Sequence, residues 1–288
     1  MSCVERSRAS LAPPLDRWRG ISSVLYCPHR AIRSQVVVVM SDIASLISER
    51  LQGHSQPNKA LLARRFFKTA PGEYAENDHF LGVSVSEVRA VSKDFLSVPL
   101  RDLLPLLKSR WHEERLCCLV IWVAQSRKSQ PLQARQTLFE LYTSHLPHID
   151  NWDLVDISAT DLCGRFLLET HNPAPLFELL RSRSLWERRI AIVSTWAWIK
   201  SGDISLTLRF AEALLQDPED LIHKATGWML REAGKVDESG VMAFIEKHGS
   251  QMPRTMLRYA IERLDEKTRK AILLKTKKAG IVRSPPFC

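Results

Sequence analysis

Segments of this chain repeat one another, and the interval between them narrows the folds open to it. Arg110-Trp111-His112-Glu113-Glu114-Arg115, Leu185-Trp186-Glu187-Arg188-Arg189 and Leu221-Ile222-His223-Lys224-Ala225 each open an apolar helix, over 117–123, 191–199 and 225–230. With Trp152 placed beside Trp111, Trp186 and Ile222, the spacings are 41, 34 and 36 residues. Second helices are expected at 132–144, 174–183, 204–215 and 241–247. A helix pair recurring every 34–47 residues or so cannot bury its apolar face alone and must stack on its neighbours. The pattern predicts an all-α fold, an α-α superhelix (solenoid) of the HEAT-like or armadillo kind with an elongated concave face suited to a rod-like ligand. No segment shows the strict alternation of a half-buried strand; 36–40 is uniformly apolar.

The flanks extend the helical pattern. Ser41-Asp42 caps a helix carrying Ile43, Leu46, Ile47 and Leu51. A second helix over 58–69 is expected to turn Leu61, Leu62, Phe66 and Phe67 inward, with Arg64, Arg65 and Lys68 on or near its other side, until Pro71-Gly72 breaks the chain. Ser84 followed by Glu87 is a capping box, opening a helix through about Leu96. Pro253 starts a late helix, where a missing N–H costs nothing, and 265–275 forms a last basic one.

Composition excludes several classes. At 288 residues and 45% hydrophobic content, the chain can bury a sizeable core. No run approaches the roughly 18 apolar residues of a membrane span, and none of the six cysteines forms a CxxC pair or a zinc-ligand spacing with histidine. They read as small buried hydrophobes in a reducing cytosol, so no metal is expected; the expected localisation is cytoplasmic, in a bacterial cytosol or nucleoid. The formal charge is +9, but residues 1–39 carry +4 and residues 265–288 carry +5, which accounts for all of it. A basic surface in the middle must therefore come from sorting the signs onto different faces. The domain reading is an N-terminal extension over 1–39, disordered or translated upstream of a start at Met40, with a transit peptide as the alternative; a helical domain over 40–278; and a flexible tail over 279–288.

The run from Asn151 to Asp161 is the best site candidate. Asp150 or Asn151 caps a helix with Leu154, Val155, Ile157 and Ala159 on its apolar side. Trp152 and Asp156, four residues apart, lie about 40° apart around the axis and share a face. A carboxylate beside a large aromatic ring suits a cationic ligand better than a core.

The strings 79–88, 151–156, 185–193, 222–234 and 252–264 together resemble the HEAT-repeat DNA alkylation repair glycosylases, the AlkD family, and the likeness covers about residues 41–275. It is specific in the middle and weak at the front, and nothing is carried onto 1–39. The resemblance implies removal of cationic N3- or N7-alkylated purines from duplex DNA by hydrolysis of the N-glycosidic bond, with no cofactor, by a chain that can act as a monomer. It implies that Asp156 is the catalytic aspartate, that Trp152 and Trp228 face DNA, and that Arg189 contacts phosphate.

Each assignment has a plainer counterpart. Asp156 can pair with an arginine at the edge of the stack. Trp186, equivalent to Trp152 in the repeat, reads as core; Trp228 alone would too, but it follows Gly227, whose lack of a side chain permits a close approach by a ligand or another backbone. Lys224, Arg231 and Lys235 share a face, either solvated or a phosphate track beside Trp228. Arg188 has two readings, phosphate or an acidic neighbour. Arg254 and Arg258 share a face and are candidate DNA contacts. The alternatives to a glycosylase are a non-catalytic HEAT-repeat protein binding bent or branched DNA, and a HEAT scaffold for proteins.

Overall fold

The computed structural model describes residues 42–128 and 131–276, and among these the chain is helical, with one isolated bridge between His79 and Trp111. The helices are α1 (Ile43–Gln52), α2 (Pro57–Phe66), α3 (Val85–Ser92), α4 (Leu104–Leu107), α5 (His112–Ser126), α6 (Leu132–Thr143), α7 (Trp152–Ala159), α8 (Arg165–Glu169), α9 (Ala174–Leu180), α10 (Leu185–Ser194), α11 (Trp196–Lys200), α12 (Ser205–Ala213), α13 (Asp220–Ala233), α14 (Glu238–His248), α15 (Arg254–Ala260) and α16 (Glu266–Lys275). The expectations for 1–39 and for 279–288 fall outside the described residues.

The repeat reading has a direct structural counterpart. Trp111 is the N-cap of α5, Trp152 the first residue of α7, Trp186 the second of α10 and Ile222 the third of α13. These four helices form one row: α7 packs between α5 and α10, α10 between α7 and α13, and α13 lies along α15. Their shared core includes Leu119, Trp122, Leu154, Val155, Ile190, Ile192, Ala225 and Met229, all essentially inaccessible. Cys117, Cys118 and Cys163 are buried free thiols in it, and burial pushes each thiol above its ordinary pKa.

Two glycines set the spacing of the row. A Cβ on Gly227 would lie 2.4 Å from the carbonyl oxygen of Met256 and 2.5 Å from Cβ of Tyr259, so this glycine admits the backbone of α15. A Cβ on Gly164 would lie 2.3 Å from the carbonyl oxygen of Ser194. Gly164 closes a π-helical turn, Thr160–Gly164, that joins α7 to α8.

At the front, the capping box is present: Ser84 accepts from the Glu87 backbone and Glu87 accepts from that of Ser84. Asp42 sits at the N-cap of α1 without a side-chain cap bond. The second helix departs from expectation. It ends at Phe66, and Lys68, with φ of 57°, turns the chain in the left-handed region. No residue of α2 is buried, and Leu61, Leu62 and Phe66 are 59%, 64% and 65% exposed. The apolar periodicity is there, but among the described residues Leu61 and Leu62 stay largely exposed, while Phe66 sets its ring against Trp152 at 5.8 Å. Phe67 does turn in, stacking at 5.0 Å on Phe80 and at 5.2 Å on Trp152.

Candidate active site

The start of α7 builds the site. Asn151 caps it, its Oδ1 accepting from the Trp152 N–H at 2.7 Å, while its Nδ2 donates to Asp78 at 2.9 Å. The anchored first turn aims Trp152 and, one turn later, Asp156 into one cleft of about 720 Å³. Trp152 stacks on Phe67 and donates its Nε1–H to the Tyr74 hydroxyl at 3.2 Å. The other walls come from the end of α2 and the turn after it (Phe66, Lys68), from α10 (Arg189), from α13 and the residue before it (Glu219, Asp220, Leu221, Lys224, Trp228, Arg231), and from Tyr259 of α15.

Asp156 is held by Arg189. Arg189 donates from Nε to Oδ1 at 2.9 Å and from Nη2 to Oδ2 at 2.8 Å, and its Nη1 donates to the Leu221 carbonyl at 2.5 Å. The guanidinium side chain is 6% exposed and the carboxylate side chain 21%. The arginine therefore sits behind the acid, with the acid on the cleft wall. Burial pushes the Asp156 carboxyl above its ordinary pKa; the Arg189 charge and hydrogen bonds oppose this, and the neighbouring Asp153 charge adds to it.

A second set of buried charges lies behind the same turn. His112 bonds Asp78 through Nδ1 and Asp153 through Nε2, both at 2.8 Å, and Arg115 donates to Asp78 at 2.7 Å. Burial works against a charged His112, but Asp153 and Asp78 outweigh it and raise its pKa to about 9. Its ring also stacks on Phe80 at 4.7 Å.

The other anticipated residues divide. Trp228 lines the cleft and sets its ring edge against Trp196 at 5.3 Å. Lys224 lines it too, paired with Asp220 at 2.8 Å, as does Arg231, paired with Glu262. The cleft is thus mixed in sign, since Asp156, Glu219 and Asp220 face Lys68, Arg189, Lys224 and Arg231. Arg189, expected at phosphate, pairs with Asp156 and the Leu221 carbonyl on the wall of the same cleft. Arg254, expected at DNA, bonds Thr276 Oγ1 at 3.2 Å and the Leu273 carbonyl at 3.1 Å, closing the end of α16. Arg258 is exposed and outside the cleft wall. Arg188 takes its acidic reading, paired with Asp217 at 2.6 Å, and Lys235 pairs with Glu232. Trp186 is partly buried against the core and edges Tyr74 at 5.9 Å. Tyr74 and Tyr259 have no site role in the sequence reading, and Phe66 is expected there as core rather than as cleft wall; Tyr74 lies in an aperiodic turn, and its proximity to Pro71-Gly72 marks only a break.

Among the described residues no group of three or more His, Cys, Asp or Glu is placed to hold a metal ion, and no helix is long and apolar enough to cross a membrane. A family model described as DNA alkylation repair enzyme matches residues 47–264. A solved structure described as a predicted DNA alkylation repair enzyme from Enterococcus faecalis superposes with a TM-score of 0.57 at 17% identity, over 74% of this chain and 98% of that one. At that identity the likeness speaks for the fold alone. No curated protein matches the sequence.

Proposed function

The chain belongs to the DNA alkylation repair enzyme family, and on that footing we propose that it is a DNA glycosylase hydrolysing the N-glycosidic bond of cationic N3- or N7-alkylated purines in duplex DNA. The observation that carries the reading is the meeting of Asp156, Trp152 and Trp228 on the wall of one cleft.

An N3- or N7-alkylated purine is positively charged and leaves the sugar as a neutral base, so it needs little help from a general acid. The remaining work is to stabilise an oxocarbenium-like sugar and to place water. A carboxylate does both. At about 4 Å and an effective dielectric near 20, one charge pair is worth roughly 4 kcal/mol, on the order of a thousandfold in rate. Only the part gained in the transition state counts, and the charge of Arg189 offsets a share, so this is a ceiling. Arg189 repays the loss by favouring the anionic form of an acid that burial pushes toward protonation. The indole faces of Trp152 and Trp228 add about 0.5–2 kcal/mol each toward a cation.

Selectivity then follows from the lesion's own lability: cationic adducts are released, while stable neutral lesions such as uracil and 8-oxoguanine are not. The bidentate Asp156–Arg189 pair favours a second reading, in which the acid is structural and the protein binds DNA without cutting. Asp156→Asn separates the two. On methylated duplex DNA the variant should lose release of 7-methylguanine while retaining duplex binding; unchanged release removes the catalytic assignment. Duplex affinity should also fall steeply with salt, and a flat response favours a protein scaffold.

A further inference from the structure

His112 is a buried cation that the chemistry above does not use, and its place in the fold ties it to that chemistry. It joins three elements: α5, on which it lies, the loop before Phe80 through Asp78, and α7 through Asp153. Asp78 also accepts from Asn151, so the residues on both sides of Trp152 are anchored to the same brace. The ring stack repeats the connection, since Phe67 lies 5.0 Å from His112 and 5.2 Å from Trp152. Asp153 is three residues before Asp156, and its charge disfavours ionisation of that acid.

We propose that His112 is a positioning residue for base release: its cross-brace between Asp78 and Asp153 fixes the first turn of α7, and with it Trp152 and, one turn later, Asp156, and neutralises the Asp153 carboxylate near Asp156. The inference rests on the reading of Asp156 as the catalytic carboxylate. The other charged groups around His112 leave the role to it. Arg115 is committed to Asp78 and Asp150. The Glu113 carboxylate accepts from the backbone N–H groups of Leu81, Gly82 and Val83. Lys59 of α2 borders the cavity beside the ring without an ion pair to Asp153.

The charge relation gives opposite signs to two substitutions, which a merely structural brace does not. Release of 7-methylguanine, corrected for spontaneous loss, is followed against pH. The rate falls on the acid side as Asp156 is protonated. In His112→Gln the Asp153 charge is left unbalanced, and the acid limb moves to higher pH. In Asp153→Asn that charge is gone, and the limb moves to lower pH. Equal loss at every pH in both variants overturns the proposal. Should His112→Gln not fold, the Asp153→Asn profile and NMR titration of the wild-type imidazoles still decide it: the His112 ring must stay protonated through neutral pH, and titration at or below 6.5 overturns the inference. If the wild-type protein releases no methylated base, it is the glycosylase reading that has failed, whatever the NMR result.

Discussion

Both carboxylate oxygens of Asp156 are bound by one guanidinium, Nε and Nη2 of Arg189, at 2.9 and 2.8 Å. The pair joins α7 to α10, and the third hydrogen bond, to Leu221, joins both to α13. The residue that orients the acid is thus also a rivet between successive repeats. Removing one member of a largely buried ion pair strands the other, at a cost of about 3–5 kcal/mol. Arg189→Gln should therefore lower the melting temperature clearly and weaken base release, because Asp156 loses the interaction that favours its anion. Thermal melts and excision assays on the same preparation check both halves. A variant that melts normally and still releases base shows that the pair does neither job.

Trp228 lines the cleft and packs against Trp196 in a T-shaped contact at 5.3 Å. Trp228→Leu keeps apolar bulk and removes the electron-rich face. The expected loss is about 0.5–2 kcal/mol of transition-state attraction, or roughly two- to thirtyfold in the rate of release of cationic adducts. Single-turnover rates on duplex DNA with 7-methylguanine measure it. An unchanged rate means the indole face does not see the developing charge.

Much of this architecture is legible in the residues, and the rest is not for identifiable reasons. The helix starts at Trp111, Trp152, Trp186 and Ile222 could be aligned because each opens an apolar helix at a similar interval. The sharing of a face by Trp152 and Asp156 follows from helical geometry alone. What periodicity cannot give is the partner across the gap. Leu61 and Leu62 have the spacing of a buried face, yet among the described residues they stay exposed. His112 and Asp153 stand 41 residues apart in sequence, and nothing local announces that they touch. Arg254 and Arg258 share a helix face, but the first is used to close α16. A basic stripe in a sequence does not say which of its members are already committed.

Gly227 offers a test of the packing that shapes the cleft. Alanine in a helix interior usually gains about 1 kcal/mol over glycine. Here its Cβ would meet a backbone carbonyl at 2.4 Å and Cβ of Tyr259 at 2.5 Å. A backbone carbonyl cannot swing aside as a flexible side chain can, so α15 must shift as a body. Overpacking of this kind costs about 1–3 kcal/mol, enough to cancel or exceed the gain. Gly227→Ala should lower both the melting temperature and activity, since Tyr259 lies on the cleft wall. Gly234→Ala, whose Cβ would have no neighbour nearer than 3.5 Å, is the matched control and should be nearly neutral.

The buried brace around His112 predicts how stability depends on pH. Folding raises the His112 pKa from 6.5 to about 9, so the folded chain binds this proton more tightly than the unfolded one. The corresponding stabilisation is fully present below about 6.5 and is lost as pH rises through about 9. At 1.36 kcal/mol per unit it amounts to roughly 3 kcal/mol. Asp78 behaves in the opposite sense. Burial favours its neutral form, but His112, Arg115 and Asn151 together lower its pKa below 3.8, so its contribution is present above that value and lost as pH falls further. Chemical denaturation at several pH values should show stability falling between about 6.5 and 9 in the wild-type protein. His112→Gln should lose most of that alkaline slope while starting from a lower plateau. An alkaline slope that survives the substitution would assign the proton to another group and leave His112 uncharged in the fold.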